Sequence, residues 1–346
     1  MTFRQVARLV FGSDSIGMRQ NEIELGAAVE SPGQLGWPAW RAIFGRVWVN
    51  SGRHNIGLMA GGVAFYAFLS FVPLLGALVM TYGLIADPEV VAQHMRLIID
   101  VVPADAARLI YDQLVSLTTT AADKKGVGLI VALTVSIFGA SRASGGMMSA
   151  LNVIYEQEDR RGILRGTGVS AVLVIGAVLV GIAGVLAASV LGFVQDLISG
   201  IGPVAAALVR IVTWAIAGLL ASVTIGATYR FAPYRANARW QWLSVGAVLA
   251  TVLWLLATLG FGFYASHFAG YDATYGSLSA IVVLMMWLYL SAYAVLIGGL
   301  INAEAERQTS VDTTTGRPKA MGSRGATVAD MSAALQDAPH AGHLSD

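Results

Sequence analysis

Six long apolar stretches run through the chain, at about Leu58–Ile85, Val127–Ile154, Gly168–Val194, Val204–Tyr229, Leu243–Ala265 and Leu278–Ile301. None contains an Asp or a Glu, and only Arg142 lies well inside one. A membrane span needs roughly 20 mostly apolar residues to cross about 30 Å of hydrocarbon, and all six stretches are long enough. They are apolar on every side instead of alternating with period two, so they predict helices whose backbone groups are satisfied within the segment. The predicted fold is an all-α membrane protein, a six-transmembrane-helix bundle.

The polar segments add detail. Residues 1–36 are rich in Gly and polar residues and read as a mobile cytoplasmic N-terminus. Trp37, Trp40, Phe44 and Trp48 then recur at helical spacing beside Arg41 and Arg46. That pattern predicts an amphipathic interfacial helix over 37–53, before span one. In the loop 86–126, Asp87-Pro88 reads as a helix start, followed by a face of Val90, Val91, His94, Leu97 and Ile98. Pro103 breaks that helix, and Ala106, Leu109, Ile110 and Leu114 form the face of a second, which predicts a two-helix outer loop. The six-span membrane domain thus occupies 37–307. Residues 308–346 carry Thr, Gly, Ala and charge without an apolar period, and read as a disordered cytoplasmic tail.

Composition agrees. The chain has 346 residues, 56% hydrophobic and 12% charged, with mean hydropathy +0.66, where a soluble domain carries about 25% charged residues. A net charge of +1 gives no bulk attraction to nucleic acid, and no nucleic-acid partner is expected. There is no Cys, which removes disulfides, thiolate metal sites and Cys nucleophiles. Sixteen Lys and Arg fall on the side of the two termini, against Arg96, Arg108, Lys124 and Lys125 on the other. The positive-inside rule therefore places both termini in the cytoplasm.

Arg142 lies in Phe138-Gly139-Ala140-Ser141-Arg142-Ala143-Ser144-Gly145-Gly146. It stands 12 residues before Ile154, or roughly 18 Å at about 1.5 Å per residue. At that depth a charge must face a polar cavity or a partner. A span that begins at Lys125 would instead let Arg142 reach the interface and snorkel. Both readings stay open. No acid in any span can pair with it, which leaves a carbonyl, water or an anionic ligand such as a lipid phosphate. Span one carries Tyr66, Ser70 and Pro73. The proline kinks the helix and the serine can satisfy the freed carbonyl, giving either a cavity wall or a packing kink. Ser141, Asn152, Tyr275, Asn302 and Glu304 complete the candidate substrate path, Tyr275 within an outer aromatic belt that includes Tyr264 and Tyr271. Small residues such as Gly246, Ala250, Ala257 and Gly260 mark helix interfaces.

Catalytic signals are absent from the sequence. The five histidines form no H-E-x-x-H, and neither G-x-S-x-G nor a phosphate-binding loop occurs. No catalytic residue, metal or cofactor is expected, and a proton relay through a span carboxylate is disfavoured.

Several motifs carry a family resemblance. Met59 to Pro73 (MAGGVAFYAFLSFVP) resembles the opening span of the YihY/virulence factor BrkB family. Ala150-Leu151-Asn152-Val153-Ile154-Tyr155, Tyr229-Arg230-Phe231-Ala232-Pro233, Tyr275-Gly276-Ser277-Leu278 and Gly298-Gly299-Leu300-Ile301-Asn302-Ala303-Glu304 follow in family order. The acidic pair usual before the family's first span is absent here, where His54-Asn55 stand. The resemblance implies six spans in a bacterial inner membrane. Its members are often labelled ribonuclease BN, but the metal–carboxylate or His-based site that RNA cleavage needs is not visible. The leading expectation is a transporter or flippase-like protein for an envelope lipid or other anionic small molecule, with membrane lipids as partners. The alternative is a non-transporting envelope-assembly scaffold. A ribonuclease is the disfavoured third reading. The sequence sets no oligomeric state.

Overall fold

The structure, a computed structural model, describes residues 26–85, 122–179, 203–267 and 278–336. Helix α1 is Trp37–Arg53, α2 Ile56–Ile85, α3 Ala122–Ile154, α4 Ile163–Leu179, α5 Pro203–Phe231, α6 Trp240–His267, α7 Leu278–Gln308 and α8 Ala333–Gln336. Two 3-10 turns, Pro32–Gln34 and Thr327–Asp330, complete the elements. Among the described residues there is no strand, only an isolated antiparallel bridge between Ala238 and Thr314.

Five of these helices, α2, α3, α5, α6 and α7, are long and apolar enough to cross a membrane. The chain is a multi-pass membrane protein. The third expected span is represented by the shorter apolar helix α4, and its continuation lies outside the described residues. So do residues 86–121 of the expected two-helix loop, while its last residues form the start of α3.

Helix α7 is the hub. It packs on α6, α2, α1 and α3, and α2 and α6 in turn pack on α3 and α5. The spans follow one another as an arc, α3–α2–α7–α6–α5. Small residues let the backbones approach. A Cβ on Gly246 of α6 would collide with the carbonyl oxygen of Gly298 of α7. A Cβ on Gly139 of α3 would stand 2.7 Å from the backbone nitrogen of Ser70 in α2.

At that second crossing Ser70 Oγ donates to Ser136 O at 2.8 Å, and Ser136 Oγ donates back to Ser70 O at 3.0 Å. The hydroxyl of Ser70 thus serves the neighbouring helix, not the carbonyl freed by Pro73 within its own. In hydrocarbon the reciprocal pair has no water to compete with it.

Helix α1 buries Ala39, Ile43, Val47 and Asn50 on one face, against α7. Trp37, at 75% exposure, and Trp48, at 83%, lie on the opposite face with Phe44. His54 closes α1, and Asn55 takes a left-handed conformation, φ 52°, that its short polar side chain tolerates, before α2 begins.

The basal end of the bundle, where α1 and the end of α7 meet, departs from expectation. Residues 309–336 are not a disordered tail: they fold onto this end. Arg324 organises them, donating to the carbonyls of Ser310 (2.6 Å), Lys319 (3.3 Å), Val311 (3.4 Å) and Ala329. Asp312 accepts from Thr314 N, Thr314 Oγ1 and Lys319 N at 2.7–2.9 Å. Only Val328 and a few alanines are its buried apolar side chains, so polar ties replace an apolar period. Residues 26–36 of the expected mobile N-terminus likewise fold onto this end. Ser310 N donates to Ala27 O at 2.8 Å and Thr309 Oγ1 to Val29 O at 2.7 Å.

Overpacking of a close helix crossing costs about 1–3 kcal/mol. Gly246→Ala is therefore expected to lower the melting temperature in detergent, whereas Gly260→Ala, whose Cβ meets nothing within 4 Å, should not. Equal melting temperatures for the two variants would contradict the crossing geometry.

Candidate functional site

The polar residues that end α7 are Asn302, Glu304, Glu306, Arg307 and Gln308. A helix turns about 100° per residue, so they fan out toward several neighbours, with Glu304 and Gln308, one turn apart, sharing Arg46. Asn302 Oδ1 accepts from Gly246 N at 2.7 Å and its Nδ2 donates to Leu243 O at 3.0 Å, both in α6. Glu304 accepts from Arg46 Nε and Asn50 Nδ2 of α1, each at 2.8 Å. Glu306 accepts a fork from Arg235, Nη1 at 3.1 Å and Nη2 at 2.6 Å, and a third bond from Thr313 Oγ1 at 2.9 Å. Arg307 Nη2 donates to Glu156 Oε1 at 2.6 Å, and Gln308 accepts from Arg46.

The Arg235 and Glu306 side chains are 1% and 0% exposed. Two charges leave water only when each satisfies the other with good geometry, and a planar guanidinium on a carboxylate provides it. The Arg235 guanidinium also lies 4.7 Å from the centroid of the Tyr155 ring.

The connectors between spans join the same layer. Asn152 Oδ1 accepts from Tyr234 N at 2.7 Å and its Nδ2 donates to Asp159 Oδ2 at 3.1 Å. Arg161 Nη2 donates to Ala232 O at 2.6 Å. These bonds fasten the α3–α4 connector to the α5–α6 connector. His54, at the end of α1, has its pKa lowered below 6.5, first by burial and then by Arg53 and Arg307, against the opposing pull of Glu156.

Arg142 is different. It is exposed on α3, with its guanidinium 5.2 Å from the centroid of the Phe138 ring, and has no carboxylate partner among the described residues. Beside it Ser144 Oγ donates to Ser170 O at 3.3 Å and Ser170 Oγ to Ser141 O at 3.4 Å, which seats α4 against α3.

The sequence candidates thus fall at separate levels. Ser70 sits with Ser136, six residues before Arg142 and roughly 9 Å from it along α3 at about 1.5 Å per residue. Asn152 lies ten residues beyond Arg142, roughly 15 Å by the same rise. Asn152, Asn302 and Glu304 share the basal layer. Tyr66 is half-buried with its ring 5.4 Å from Phe65, Pro73 lies inside α2, and Ser141 is exposed beside Arg142. Tyr275 is outside the described residues. Sequence reasoning missed Arg235, Glu306, Arg46, Asn50, Glu156 and Thr313. The available signal was a pair of acids just past an apolar span, with arginines in the segments before spans one and five.

Chemically, the basal layer is a neutralised seal in which every span-end carboxylate is held by a cation. Arg142, in contrast, is an exposed guanidinium within a span helix.

Residues 47–323 match the family model described as Virulence factor BrkB. The chain is 27% identical to the ribonuclease-like protein YfkH of Bacillus subtilis, over 76% of this chain and 93% of that one. It is 28% identical to a UPF0761 membrane protein of Tolumonas auensis, over 76% and 82%. It is 27% identical to one of Paraburkholderia xenovorans, over 72% of this chain and only 57% of that longer protein. No solved structure matches the chain.

Removing one partner of a buried ion pair costs about 3–5 kcal/mol. Glu306→Gln should therefore destabilise the protein strongly in a detergent melt, while Glu158→Gln, whose ion pair with Arg160 is exposed, should leave it unchanged. Equal effects would refute the buried pair. His54 gives a pH prediction. The folded site resists the proton that the unfolded chain takes up near 6.5, so His54 contributes stability above that pH and loses it as pH falls through 6.5. The melting temperature should drop between about pH 7.5 and 5.5, and less so in His54→Gln. An identical slope in the variant would contradict this.

Proposed function

The chain belongs to the virulence factor BrkB family, and from that premise we propose that it moves an anionic envelope lipid, or another small anion, with Arg142 as the contact for the charged group. One observation carries the reading: Arg142 is exposed on a span and has no carboxylate partner among the described residues. A cation at such depth is costly unless it meets an anion or polar backbone, and a lipid phosphate supplies charge and several acceptors. One turn from it, Gly145, whose added Cβ would meet nothing within 4 Å, leaves space beside the guanidinium.

In this reading α4 continues as the third of six spans. The basal end faces the cytoplasm of a bacterium, as the excess of Lys and Arg on that side supports. Helix α1 lies in the inner-membrane interface with Trp37, Phe44 and Trp48 toward lipid. Glu304 is engaged by Arg46 and Asn50, so lipid movement runs downhill without proton coupling.

A second reading, a non-transporting assembly scaffold, is favoured by the engagement of Ser70, Asn152, Asn302 and Glu304 in ties between elements. We assign no nuclease activity. The ribonuclease-like name belongs to the Bacillus protein, and the basal carboxylates here are neutralised by arginines.

Reconstitution decides between the readings. Vesicles carrying the protein should equilibrate a labelled anionic phospholipid between leaflets faster than empty vesicles. A charged hydrogen bond contributes about 1.5–3 kcal/mol, so Arg142→Ala should slow the exchange by about tenfold or more, and Arg142→Lys by less. Exchange no faster than in empty vesicles would leave the scaffold; full activity in both variants would remove Arg142 from the path.

A further inference from the structure

We infer that residues 309–336 form a strap over the bonded connectors at the basal end of the helices, and that this end opens only when the strap lifts. The strap reaches both halves of the arc. On the α5–α6 connector, Arg239 N donates to Thr313 O (2.9 Å), Thr315 N to Asn237 O (2.8 Å) and Ala236 N to Gly325 O (2.9 Å). On the α3–α4 connector, the Gln157 carboxamide oxygen accepts from Thr327 N (2.6 Å) and Oγ1 (2.9 Å) in the orientation that also lets its nitrogen donate to Tyr234 O (3.2 Å). These connectors, which extend from α3 and α5, also bond to each other directly through Arg161–Ala232 and Asn152–Tyr234, so the strap is a second tie laid over that joint.

The strap also covers the buried ion pair. Thr313 Oγ1 gives Glu306 its third hydrogen bond, and Thr313 is itself fully buried. Lifting the strap lets water reach the Arg235–Glu306 pair, which then no longer needs a closed bundle to be satisfied.

Its construction suits release as a unit. The interior of the strap is small and mostly alanine: Ala326, Val328, Ala329, Ala333 and Ala334. Its ties are hydrogen bonds and one buried ion pair, Arg324–Asp312 at 4.0 Å; the neutral bonds to the connectors exchange for bonds to water at about 1 kcal/mol each, and those to the two charged groups at about 1.5–3 kcal/mol. Segments with few apolar contacts and many polar ties are the ones that open below the global unfolding free energy. The apolar crossings of α2, α6 and α7 have no such exchange available.

The strap rests on packing alone; only its effect on lipid movement rests on the transport reading. The absence of Cys makes engineered thiols unambiguous. Ala238 and Thr314 face each other as a non-hydrogen-bonded antiparallel pair, flanked by the 239–313 and 237–315 bonds. Such pairs have Cα atoms about 4.5 Å apart, within disulfide reach. In vesicles, the Ala238→Cys/Thr314→Cys protein should move anionic lipid when reduced and lose that activity when oxidised. Full activity in the oxidised form overturns the inference. Independently of transport, a single Ala303→Cys, buried near the basal end of α7, should react with a water-soluble maleimide about tenfold faster or more once Glu306→Gln is added, because the closed state loses its buried pair. Thr313→Val, which keeps Arg235–Glu306, should raise the rate in the same direction and covers the case in which Glu306→Gln fails to fold. An unchanged labelling rate in the folded variants overturns the strap. No lipid movement in the reduced protein, with labelling still dependent on Thr313, would remove the transport reading and keep the strap.

Discussion

The burial of Glu304 and Glu306 at the end of α7 is the constraint on which the basal half of the structure depends. A carboxylate leaves water only beside a cation that leaves water with it. Two acids two positions apart on a helix point roughly 200° apart at about 100° per residue, so one cation cannot serve both. Glu304 takes Arg46 of α1, and Glu306 takes Arg235 of the α5–α6 connector. Helix α1 is thereby fixed across α7, the connector is drawn under the bundle, and Thr313 brings the C-terminal segment over the pair. Asn152 and Arg161 extend the layer to the α3–α4 connector.

Against that seal, Arg142 stands apart. The buried basal carboxylates are matched within the protein; Arg142, roughly 15 Å from Asn152 along α3 at about 1.5 Å per residue, is exposed beside Phe138. The six apolar stretches hold no acid, and no carboxylate among the described residues pairs with it. The division of labour is spatial. Close crossings at Ser70–Gly139 and Gly246–Gly298 bring the helices together, the basal layer ties one end, and the Arg142 guanidinium is left exposed on α3. The lipid reading follows from this contrast more than from any single motif.

The helices were legible in the sequence because a span must be apolar on every side, and that leaves a continuous run. Partners were not legible. Ser70, Asn152, Asn302 and Glu304 stood out as polar residues in apolar surroundings, but a sequence does not say whether such a group faces a path or a neighbouring helix. Each of them bonds to a neighbouring element. Arg235 and Glu306 were overlooked because 71 residues separate them and each looks solvated in isolation. The strap was read as disordered because its order comes from one arginine on four carbonyls and from alanines, which carry no period. The aromatic positions of α1 drew attention to its exposed face, while the packing face is Ala39, Ile43, Val47 and Asn50.

The most direct measurement is of what Arg142 holds. Native mass spectrometry of the protein extracted from membranes should show anionic phospholipid retained by the parent chain and largely lost from Arg142→Gln, with uncharged lipids unaffected. Equal retention of anionic lipid by the two proteins would contradict the account.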